Sequence, residues 1–157
     1  MAKNKRIEVW TDGSALNNPG PGGYGILIIQ NGQEIEFSKG FKLTTNNRME
    51  LLSVIVALDE LGPDKKVNIN SDSQYVRNGA TKWIHGWRRR WWVTSDQKPV
   101  KNQDLWKQLY DLLKENSVRF TWVKGHSGIR ENELVDQLAR DAAKSPTERD
   151  DGYEDSL

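Results

Sequence analysis

The 157-residue chain has no cysteine. That excludes disulfide bonds and thiolate metal sites and makes the cytoplasm the expected compartment. No apolar run approaches the roughly 20 residues that a membrane-crossing helix needs, so no membrane association is expected. The basic start "MAKNKRIEVW" runs straight into an alternating strand pattern, without the apolar region or cleavage site of a secretory signal. Internal repeats and linker-like stretches are also missing. Net charge is close to balance, at +1, but the balance is not local. Between Lys82 and Lys101 six basic residues (Lys82, Arg88, Arg89, Arg90, Lys98, Lys101) stand against one acid, Asp96, so this segment carries +5 and the remainder −4.

What is present is the make-up of a soluble globular chain. Hydrophobic residues are 36% and charged residues 29%, and the length suits one domain with a sizeable core. "RIEVWT" alternates with period 2 and predicts a first strand, and "GYGILIIQ" a largely buried second one. Asn31-Gly32 then marks a hairpin, because both residues tolerate positive φ, and "QEIEFSKGF" returns as a third strand. "TTNNRMELLSVIVALDELG" predicts a helix stopped by Gly62-Pro63. "KVNINS" reads as a short strand ending at Asp72, followed by a helical piece from Ser73 to Asn78. "NQDLWKQLYDLLKEN", "VRFTWV" and "ENELVDQLARDAAK" read as helix, strand and helix. The glycines of "NPGPGG" are expected to shape a turn. The order β-β-β-α-β-α-α-β-α predicts an α/β fold: a five-stranded mixed sheet, an antiparallel meander plus parallel strands, with helices on both faces. One domain is expected over 1–146, including a basic segment at about 81–101. The acidic tail 147–157, poor in apolar residues, is expected to be flexible.

Four carboxylates fall where they could converge. Asp12 lies at the end of the first strand beside Gly13, Glu50 near the start of its helix, Asp72 at the end of the fourth strand, and Asp136 between Leu134 and Leu138 of the last helix. The first and fourth strands are candidates for neighbours. Like charges brought together need protons or cations to compensate them. With oxygen ligands alone, Mg²⁺ or Mn²⁺ suits them better than zinc, and four acids could hold two such ions for phosphodiester cleavage. Taken singly, each acid reads more simply as a cap or a solvated group: Asp72 could cap "SQYVRN", and Glu50 could favour its helix N-terminus.

The motifs "TDGS", "NPGPGGYG", "TTNNRMEL", "SDSQYV", "WIHGW", "PVKNQDLW", "WVKGHSG" and "ENELVDQLAR" occur in an order that closely resembles type 1 ribonuclease H of the bacterial kind, from about Ile7 to Tyr153. The resemblance implies the ribonuclease H-like fold and a monomeric endonuclease that cuts the RNA strand of an RNA–DNA hybrid, leaving a 5′-phosphate and a 3′-hydroxyl. It implies a metal-binding tetrad of Asp12, Glu50, Asp72 and Asp136, two Mg²⁺ ions with Mn²⁺ as a substitute, and a histidine, His126, in a mobile loop. Imidazole changes charge near neutral pH, which suits proton transfer or product release. His85, within "WIHGW", reads as structural.

The same resemblance assigns substrate contacts. Asn18, Asn46 and Gln74 would meet the hybrid through amides able to donate and accept at the RNA 2′-hydroxyls, and Thr45 with Asn18 would hold a DNA phosphate. Capping is the plainer reading of Asn46-Asn47 and is compatible with contact. "WIHGWRRRWW", residues 83–92, corresponds to a basic protrusion that grips the DNA strand. Arg88, Arg89 and Arg90 would neutralise phosphates, Trp87 and Trp92 would face deoxyribose, and Trp83 would anchor the protrusion. Two departures stand out: Trp91, where a small residue, often glycine, is expected, and Ile129-Arg130 after the histidine loop. The alternatives are a catalytically silent hybrid-binding module, a DNA-directed integrase or resolvase relative, and a detached reverse-transcriptase domain. The intact tetrad opposes the first and the protrusion opposes the second. The methionine start together with the protrusion favours a standalone enzyme over the third.

Overall fold

The computed structural model describes residues 5–157, so the first four residues of the expected domain lie outside the described residues. Five strands, β1 (Ile7–Ala15), β2 (Gly20–Gln30), β3 (Gln33–Thr44), β4 (Lys66–Ser71) and β5 (Ser117–Trp122), form one sheet in the order β3-β2-β1-β4-β5. The meander β1–β2–β3 is antiparallel, whereas β4 runs parallel to both β1 and β5. The expected mixed sheet is therefore present, with the first and fourth strands adjacent. β1 is longer than its alternating core suggested: it continues through Asp12, which pairs with Gly25, to Ala15.

The helices are α1 (Asn46–Leu61), α2 (Gln74–Asn78), α3 (Ile84–Arg89), α4 (Gln103–Glu115), α5 (Arg130–Lys144) and α6 (Asp151–Glu154), with a π turn, Gly79–Trp83, joining α2 to α3. The main core lies between α1 and one sheet face. Val9, Ile26, Ile28, Val67 and Ile69 meet Met49, Leu51, Val54 and Leu58 there, extended by Trp106 and Leu109 of α4. α5 covers the other face. Its close approach depends on Gly25, where a Cβ would meet the Val135 carbonyl oxygen and lie 2.8 Å from the Leu138 Cβ. The "NPGPGG" run thus differs from the expected turn: Gly20 to Gly23 belong to β2.

The tail also departs from expectation. Its composition predicted flexibility, but the Lys42 N–H donates to the Glu148 carbonyl at 2.9 Å and Asp150 is buried. Asp150 accepts from Arg48 and from the Thr44 hydroxyl, and Arg48, only 3% exposed, also pairs with Asp104 of α4. One buried guanidinium with two carboxylates thus docks the tail, in place of the apolar residues it lacks.

Candidate active site

Asp12 belongs to the α5 side of the sheet, and the next residue faces α1. A Cβ on Gly13 would collide with the Glu50 amide nitrogen, so only glycine lets the start of α1 come this close to β1. The Gly13 N–H donates to Asp12 Oδ1 at 3.0 Å and to Glu50 Oε1, tying the two acids to one backbone group. Asp72 follows β4 directly. Ser73, not Asp72, caps α2, its hydroxyl accepting from the Val76 N–H at 3.1 Å, which frees Asp72 for the site. Oxygen atoms of Asp12, Glu50 and Asp72 all lie within 4.8 Å of one another.

Asp136 is close enough for its charge to act on Asp12 and Asp72 but is turned aside, bound to Arg140 one helical turn on at 2.9 Å. A half-exposed ion pair of this kind is worth less than about 1 kcal/mol, so little opposes its release toward a cation. His126 is exposed in the loop between β5 and α5, with φ 57, near enough for its charge to act on Asp72.

The carboxyls of Asp12, Glu50 and Asp72 are held above their ordinary range. Burial is the main cause for Asp12, followed by the charge of Glu50, their shared hydrogen bond and the charges of Asp72 and Asp136. Burial also raises Glu50, opposed by hydrogen bonds from Asp12, Gly13 and Ser73. Asp72 is raised by burial and by Asp136, and relieved in part by His126 and Asn132. Such a cluster needs protons or a cation.

Asn132 adds an independent sign. It is buried, and its Oδ1 has no hydrogen-bond partner among the described residues. An orphan buried oxygen beside repelling carboxylates suits a hydrated divalent cation, which presents both charge and water hydrogens. Sequence reasoning missed Asn132, although it lies four residues before Asp136 and therefore on the same helix face.

Around this cluster, the Asn18 carboxamide oxygen accepts from the Asn46 N–H at 3.1 Å, joining the β1–β2 loop to the start of α1. Thr45 is the α1 cap, accepting from the Arg48 N–H at 3.2 Å. Gln74 is exposed and, with Arg77, Lys124 and Gly125, lines a groove beside Asp72.

Within the protrusion, Arg88, Arg89 and Arg90 are exposed and Trp87 is half-buried, its ring 5.3 Å from Trp106 and 5.7 Å from Trp83. Two tryptophans differ in exposure from what was expected. Trp92 is only 9% exposed and packs edge-on against Tyr110, so it anchors the protrusion and offers no open face. Trp83, the expected anchor, is 43% exposed.

Comparisons with known proteins agree with this architecture. The RNase H family model matches residues 4–144. The chain belongs to the RNase H family. A Ribonuclease H of Salmonella arizonae is 54% identical over 150 residues, covering 96% of this chain and 97% of the relative, and one of Salmonella newport matches equally. Among solved structures, LC9-RNase H1, a type 1 RNase H with the type 2 active-site motif, superposes with a TM-score of 0.79 at 33% identity, covering 96% of this chain and 79% of that one. LC11-RNase H1, solved in complex with an RNA/DNA hybrid, reaches 0.68 at 23% identity, covering 88% and 97%, a likeness of fold alone. RNase H enzymes use divalent metal ions, and the acidic cluster is the place in this chain where one would be held.

Proposed function

We propose that this chain is an endonuclease that hydrolyses the RNA strand of RNA–DNA hybrids, leaving 5′-phosphate and 3′-hydroxyl ends. The observation that carries the reading is the convergence of Asp12, Glu50 and Asp72 in a chain 54% identical to ribonucleases H. Asp12, Glu50, Asp72 and Asp136 would hold two Mg²⁺ ions, with Mn²⁺ as a substitute. Bound magnesium supplies a lowered pKa for water and stabilisation of the negative charge that develops on the departing 3′-oxygen.

The chain's own groups do the rest. The Gly13 N–H, donating to both Asp12 and Glu50, holds these two acids side by side. His126, exposed in its loop, moves protons at the mouth of the site or assists product release. Asn18, Asn46 and Gln74 read the RNA through its 2′-hydroxyls, and Thr45 with Asn18 holds a DNA phosphate. Arg88, Arg89 and Arg90 neutralise the DNA backbone, and the exposed part of Trp87 lies against it. The enzyme acts as a monomer in the cytoplasm.

The test is cleavage of an end-labelled RNA–DNA hybrid beside single-stranded RNA, duplex RNA and duplex DNA, with Mg²⁺ and with EDTA. Cutting is expected only in the RNA of the hybrid and only with metal. Tight hybrid binding without cutting would identify a silent binding module instead, and cutting of duplex DNA would place the chain with DNA-directed nucleases.

A further inference from the structure

Trp91 occupies a backbone position at which glycine is preferred. α3 ends in a Schellman motif: the Trp92 N–H donates to the Trp87 carbonyl at 2.7 Å and the Trp91 N–H to the Arg88 carbonyl at 3.3 Å. The residue after the cap in this motif is left-handed, and a Cβ there crowds the following carbonyl oxygen. Trp91 has φ 58 and yet carries the bulkiest side chain. Burial does not offset the strain, since Trp91 is 81% exposed. Its neighbour is the Arg88 guanidinium, 6.0 Å from the ring centroid, a contact that is weak at an exposed site. A strained indole that the fold does not use is a mark of function outside the fold.

We infer that Trp91 is a stacking platform for an unpaired nucleobase on a single-stranded extension of the hybrid. The inference rests on the reading of the protrusion as the nucleic-acid grip. The ring stands in the +5 segment beside Arg88, Arg89 and Arg90, so an anionic strand is drawn to it and an uncharged apolar partner is not. Bases within a duplex keep their faces in the stack. An unpaired base presents a π-face, and aromatic side chains bind such faces without regard to sequence. With Arg88 beside the ring, a cation is also placed for the phosphate that accompanies the base. The chain thereby gains affinity for junctions where a hybrid gives way to a single strand, such as the edge of a partly replaced primer.

The experiment measures binding in EDTA, where metal-dependent turnover is blocked, to three probes sharing one hybrid: blunt, with a single-stranded DNA extension, and with a single-stranded RNA extension. The parent chain, Trp91→Gly and Trp91→Phe are compared. Trp91→Gly is expected to weaken binding about tenfold on an extended probe and to leave blunt binding unchanged, and Trp91→Phe to recover most of the loss. The two extended probes tell which strand supplies the base. Melting temperature serves as a folding control and is not expected to fall in Trp91→Gly, because glycine accepts the left-handed backbone. Equal weakening on blunt and extended probes would overturn the inference by placing the indole on the duplex, and unchanged affinity on all three would overturn it outright. Failure of the underlying reading has a separate signature: Arg88, Arg89 and Arg90 changed together to alanine would then leave blunt-hybrid affinity unaltered.

Discussion

Asp12 is the residue on which binding of metal and strain in its absence meet most directly. It is 6% exposed, tied together with Glu50 to the Gly13 N–H and faced by the charges of Glu50, Asp72 and Asp136. Asp12→Asn removes a charge at the centre of the cluster while leaving every groove residue in place. Hybrid cleavage is therefore expected to be abolished, with hybrid affinity within about twofold of the parent, since 2′-hydroxyl and phosphate contacts set affinity. In EDTA the same substitution is expected to raise the melting temperature, by about 2–4 °C for each kcal/mol of repulsion relieved in a domain of this size. Parent-like turnover would remove Asp12 from the metal site, and a lower melting temperature in EDTA would mean that its carboxylate is stabilising after all.

The protrusion works as an element, not as separate residues. α3 is anchored by buried Ile84 and Trp92 and braced by Trp87 against Trp106, while its three arginines stay in solvent with no acid partner among the described residues. Changing Arg88, Arg89 and Arg90 together to alanine is expected to raise KM on hybrid, leave kcat nearly unchanged and flatten the salt dependence. The slope of log affinity against log salt should fall by up to about 2–3, near 0.9 for each phosphate that is no longer neutralised. An unchanged slope would show that the protrusion does not touch phosphate. The elements themselves were legible because period-2 and period-3.6 patterns, Asn31-Gly32 and Gly62-Pro63 are local signals. The burial of Trp92 and exposure of Trp83 were not, because which ring around α3 is packed is set by Trp106 and Tyr110 on α4. The glycines of "NPGPGG" misled for a similar reason: Gly22 answers to Thr44 and Gly23 to the backbone of α5, more than a hundred residues away in sequence. In the site, Asp12 and Asp72 were readable from strand ends and adjacency, and Glu50 from its place at the start of a helix. The turn of Asp136 toward Arg140 and the orphaned oxygen of Asn132 needed the tertiary arrangement.

At the scale of the whole molecule, two sets of buried charge pull stability in opposite directions. Arg48 binds Asp150 and Asp104 and so joins α1, α4 and the tail. Asp150→Ala leaves that guanidinium with a single, more exposed carboxylate, and a loss of about 2–3 kcal/mol is expected in denaturant unfolding, short of the full cost of breaking a buried pair because Asp104 remains. An unchanged unfolding midpoint would mean that the tail's docking adds nothing. The acidic cluster acts the other way. Each of its carboxyls binds a proton more tightly in the folded than in the unfolded state. A raised folded pKa gives a contribution that is most favourable below the unfolded value near 4 and is lost as pH rises toward the folded one. Metal-free protein is therefore expected to lose melting temperature from about pH 5 to about pH 8. Below about pH 4 the opposite contribution of Asp104, held low by Arg48, takes over. Saturating Mg²⁺ binds the folded state alone and should restore stability at the alkaline end, with a smaller effect at the acid end where protons already occupy the site. Calorimetry of the parent and Asp12→Asn, each in EDTA and in Mg²⁺ across this range, isolates the cluster from every other titrating group. The parent's slope in EDTA should be the steeper of the two, and parallel slopes would mean that the carboxylates do not repel one another in the folded protein.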